Sequence, residues 1–81
     1  MNKKETMIQL AKEAYFEYLD MLEIRDIAKI EDVLFARNKY CFYAEMLTKT
    51  YPELSRPSLE IEWDCEVRKW DRLIKQQVEK R

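Results

Sequence analysis

The chain has 81 residues, of which 15 are basic and 16 acidic, giving a formal net charge of −1, with no histidine, no glycine and two cysteines. Those numbers exclude more than one domain over 1–81, a four-ligand zinc set, a glycine-built phosphate loop and a net positive charge that would draw nucleic acid. Charged residues reach 38 %, but apolar residues at 47 % and aromatics at 12 % place the chain with folded amphipathic proteins rather than disordered ones.

A domain this small buries only about 60–65 % of the surface its unfolded chain exposes. Such domains gain stability from disulfides, metals or oligomerisation. Cys41 and Cys65 read as small apolar residues rather than a bridge, and no metal or cofactor is expected, which leaves self-association. The amino-terminal stretch MNKKETMIQLAKEAYF carries charges every few residues, unlike a signal peptide. No uncharged run approaches the ~18 residues of a membrane span. A cytoplasmic protein is the default expectation, and the glycine-free, Lys-, Glu- and Ile-rich style suits a small bacterial or phage accessory protein.

Residues 5–23 read as the first helix. Met7, Leu10, Ala11, Ala14, Tyr15, Tyr18, Met21 and Leu22 share one broad face, with Gln9, Lys12, Glu13, Glu17, Asp20 and Glu23 on the other. Phe16 falls on the polar side and reads as a surface residue.

A second helical pattern runs over 27–49, with Ile30, Val33, Leu34, Tyr40, Cys41, Ala44 and Leu47 as its main stripe and Tyr51 as an extension. The apolar stripe drifts by about 80° between the two segments at ~100° per residue. That drift favours a bend near Arg25, with Asp26 as the cap of the second helix, over one long helix spanning 5–49.

Pro52 and Pro57 punctuate the chain at a connector over 50–57. Beyond it, Leu59, Ile61, Trp63, Cys65 and Val67 alternate with acids as in a strand, but Leu59, Trp63, Val67, Trp70, Ile74 and Val78 also follow helical spacing to the end. The acids Glu60, Glu62, Asp64 and Glu66 precede the bases Arg68, Lys69, Arg72 and Lys75, the order a helix dipole favours. Asp64 with Arg68 and Asp71 with Lys75 are paired four apart. A helix over 58–79 is therefore expected, with Ser55 or Ser58 as its cap, Trp63 and Trp70 in the core, and the acidic run as a solvated helix start. The fold class that follows is all-α, a helical hairpin plus a carboxy-terminal helix.

No catalytic apparatus is apparent. Without histidine, neither cysteine has an obvious base to activate it, and three helices of this length hardly enclose a pocket to tune a carboxylate. The apolar excess is more informative. Phe35, Phe42 and Met46 lie on the face of the second helix opposite its main stripe, and Ile61 lies roughly opposite the tryptophans. Either the second helix is sandwiched between the other two, or a second chain covers this face. The five tyrosines, a residue type favoured at interfaces, favour the second chain. Phe35, Phe42, Met46 and Ile61 are thus the candidate interface residues of a homodimeric protein-binding protein. The alternative is nucleic-acid binding through the basic stripe Arg68, Arg72 and Lys75.

Overall fold

The computed structural model describes residues 2–79, with side chains described for 2–70 and 73. It contains three helices, α1 (Lys3–Glu23), α2 (Ile30–Thr50) and α3 (Arg56–Glu79), and no strand among the described residues. The all-α reading holds, and the bend between the first two helices is a turn over residues 24–29.

α1 starts at a side-chain cap that the sequence reading missed: the Asn2 side chain accepts from the Glu5 backbone N–H at 2.8 Å, satisfying one of the amides a helix start leaves free. At the other end the Ile24 N–H returns to the Asp20 carbonyl. Asp26 does not cap α2. The cap position is Lys29, which makes no side-chain capping bond, while Glu31 and Asp32 supply negative charge to the first turn. Pro57 is the second residue of α3, where its missing N–H costs no helical hydrogen bond.

α1 and α2 form the tightly packed antiparallel pair. Lys4 at the start of α1 lies over the Tyr51 ring and pairs with Glu53, both just past the end of α2. Further along, Glu17 meets Lys39. The seam is built on Ala11 and Ala14 of α1 and Ala36 and Ala44 of α2, all buried, and small side chains allow close interaxial approach. This rotates α2 away from the expected stripe. Tyr40, Ala44 and Leu47 are buried as expected, but Ile30 and Leu34 are exposed, and Ala36 takes the place they were assigned.

α3 docks across this hairpin by its first half. Leu59 and Trp63 enter the core cluster with Tyr15, Tyr40 and Leu47. The rings of Tyr15, Tyr40 and Trp63 are mutually tilted or edge-on, with centroids 5.0 to 6.4 Å apart, a geometry worth about 0.5–1.5 kcal/mol per pair beyond area burial. Trp63 is 3 % exposed but Trp70 is 60 % exposed, so only one of the two tryptophans expected in the core is there. The helical spacing of apolar residues continues past Trp63, but the hairpin there offers only the ends of Phe16, Leu19 and Leu22, and a groove stays open in front of Trp70. Ile74 and Val78 lie outside the described side chains.

Candidate protein-binding surface

The acidic run at the start of α3 is more than solvated charge. The Tyr15 hydroxyl donates to Asp64 Oδ1 at 2.7 Å, and the Tyr40 hydroxyl donates to Glu60 Oε1 at 2.6 Å. Glu60 also accepts from Arg56 Nε at 3.1 Å, and the Arg56 guanidinium lies 4.8 Å from the Tyr40 ring centroid. Glu66 pairs with Lys12. Burial, together with a carboxylate acceptor, raises the pKa of both tyrosines well above the ordinary phenol range. Asp64 thus bonds Tyr15, and the pairing with Arg68 expected from spacing is not among the described ion pairs.

This network revises the reading of the tyrosines. Tyr15 and Tyr40 are core residues that latch α3 to the hairpin, and Tyr18, Tyr43 and Tyr51 pack against the same cluster. None of the five is spare interface material. Phe16, expected at the surface, also packs against the core, because it sits where α1 turns its flank toward α3.

The outer face of α2 is different. Phe35 is 71 %, Phe42 61 % and Met46 42 % exposed, so α2 is not sandwiched between its neighbours. The three are spaced by seven and then four residues, which stacks them on one side of the helix. Phe42 has an edge contact with Tyr43, ring centroids 5.9 Å apart, which joins the outer face to residues packed on the core. Glu31 and Lys49 are 18 residues apart, about five turns, and so share one flank of this face. Both are exposed. Lys49 pairs with Glu45 at 2.9 Å and lowers the pKa of that carboxyl.

Compared with family models, curated proteins and solved structures, the chain matches none.

Ile61, on α3, is 65 % exposed, but no described contact joins it to the α2 trio. The basic stripe is described only at Arg68, which is exposed; the side chains of Arg72 and Lys75 lie outside the described residues. Among the described residues, no group of three His, Cys, Asp or Glu side chains is arranged to hold a metal, and no helix is long and apolar enough to cross a membrane. Cys41 is half-buried, with its Sγ 3.6 Å from an Arg56 nitrogen, and Cys65 is exposed.

Proposed function

We propose that this chain is a non-enzymatic protein-binding protein that acts as a homodimer, with the outer face of α2 as its contact. One observation carries the reading: two phenylalanines and a methionine stand exposed on a single side of a helix whose opposite side is already buried in the core. Aromatic residues and methionine are enriched in protein interfaces, and stacked anchors of this kind suit a helix-to-helix contact.

The charges on the same face favour a second copy as the occupant. Two α2 helices packed antiparallel about a two-fold axis set Phe35 of one copy opposite Met46 of the other. The two-fold axis keeps each flank facing its own equivalent, so Glu31 of one copy comes to the level of Lys49 of the other, within one residue of register. The same contact is made twice, as closed symmetry requires, and the antiparallel helix dipoles oppose favourably.

Phe42→Asp is the direct test, because it puts a charge at the middle of the face without touching the core. Light scattering behind a sizing column, with circular dichroism alongside, should show a helical monomer replacing a dimer. An unchanged dimer in this variant would remove α2 from the interface, and a parent that is already monomeric at all concentrations would remove self-association.

A further inference from the structure

A second surface lies between the end of α1 and α3, and its rim meets the outer face of α2 at Asp20, which also lines a pocket with Phe35. It is a groove of about 760 Å³ with an apolar floor of Phe16, Leu19 and Leu22 from α1 and Val67 and Trp70 from α3. Its rim carries three carboxylates, Asp20, Glu23 and Asp26, against one guanidinium, Arg25, and all four are exposed. Among the described residues none of these three carboxylates is in an ion pair. Trp70 stands largely exposed beside them.

We infer that this groove binds a basic amphipathic helix of another protein. An apolar ridge with residues at i, i+3, i+4 and i+7 fits a floor of this composition. A neutral apolar occupant would strip water from the rim carboxylates and return nothing, and an anionic one would be repelled by them. Lysine or arginine beside the ridge answers both problems. Asp20 and Glu23 are three residues apart on α1, so basic side chains one turn apart on the incoming helix meet them together. A second copy's α3 is the less suitable occupant, since its Val67 and Trp70 already line a groove of their own.

The probe is the dye-labelled peptide LKKLLKLLKKLLKL, followed by anisotropy and by the emission of Trp70. The peptide should bind the full-length chain and shift that emission, with affinity falling as salt rises from about 0.05 to 0.5 M. The Asp20→Lys/Glu23→Lys variant should bind about tenfold more weakly, the order expected when two surface attractions become repulsions. Trp70→Ala should weaken binding comparably, and it keeps the test decisive if the double variant is poorly folded. Glu13→Lys/Glu62→Lys, the same charge change away from the groove, should stay within about twofold, and LEELLELLEELLEL should not bind. No binding by the basic peptide, or equal losses in both double variants, overturns the inference. A fall in the oligomeric mass of Trp70→Ala without peptide overturns it too, by assigning the groove to a second copy. Trp70 lines the groove and not the pocket beside Phe35, so with Trp70→Ala failure here and failure of the homodimer proposal are separate results.

Discussion

The hydroxyls of Tyr15 and Tyr40 can be removed without disturbing the packing of their rings. Replacing both with phenylalanine keeps the ring contacts, 5.0 Å between the two centroids and 5.6 Å from Tyr15 to Trp63, and removes only the bonds to Asp64 and Glu60. A hydrogen bond to a charged acceptor contributes about 1.5–3 kcal/mol net. Both carboxylates are half-buried rather than buried, so water recovers part of their solvation and the low end of that range applies. Glu60 also keeps Arg56 as a donor, which reduces the loss at Tyr40 to about 1 kcal/mol, while Tyr15→Phe costs about 1.5 kcal/mol. The double variant should then lose roughly 2–3 kcal/mol, with some departure from additivity because the two rings touch. Urea denaturation followed by tryptophan emission reads this directly, since Trp63 of α3 packs against both tyrosines. A double variant within about 0.3 kcal/mol of the parent would refute the claim that these bonds hold α3 in place.

The same bonds predict a pH limit. Both tyrosine pKa values are raised in the fold, so their contribution is complete below the unfolded phenol value of about 10 and is lost as pH rises beyond it toward the folded values. Thermal melts at pH 8 and 11 should show a smaller drop in the Tyr15→Phe/Tyr40→Phe variant than in the parent. The tryptophans separate cleanly: Trp63→Ala should cost about 3–5 kcal/mol as a large core truncation, and Trp70→Ala should stay within about 0.5 kcal/mol, both by denaturant titration. At the proposed α2 interface, Glu31→Lys or Lys49→Glu alone should weaken the dimer about three- to tenfold, and combining them should restore it, as a charge swap across a two-fold contact requires. Sedimentation of the three variants checks this, and a double variant weaker than either single one would exclude the antiparallel register.

Three helices were legible in the chain because the drift of the apolar stripe marks a bend near Arg25, because Pro52 and Pro57 mark the second break, and because one helical repeat explains the carboxy-terminal apolar residues that alternation explains only in part. That Phe35, Phe42 and Met46 share one side also follows from spacing, but their exposure does not, because a sandwiched second helix fitted the same pattern. What spacing could not show was which side of α2 faces α1. Hydrophobicity favoured Ile30 and Leu34, but alanines at the seam let the helices approach closely and turned those larger residues outward. The two latches join residues 49 and 20 positions apart, so no local pattern announces them, and an acidic run read in isolation resembles any solvated helix start. Trp70 repeats the period of Trp63, yet burial depends on what stands opposite, and at that level the hairpin leaves a groove.

Sedimentation equilibrium of the unmodified chain over a hundredfold range of concentration decides whether the outer face of α2 joins two copies. A homodimer gives a mass that rises with concentration to twice that of the single chain and stops there, because a two-fold contact closes on itself. A mass fixed at one chain throughout would contradict it and leave the exposed phenylalanines of α2 without the occupant assigned to them.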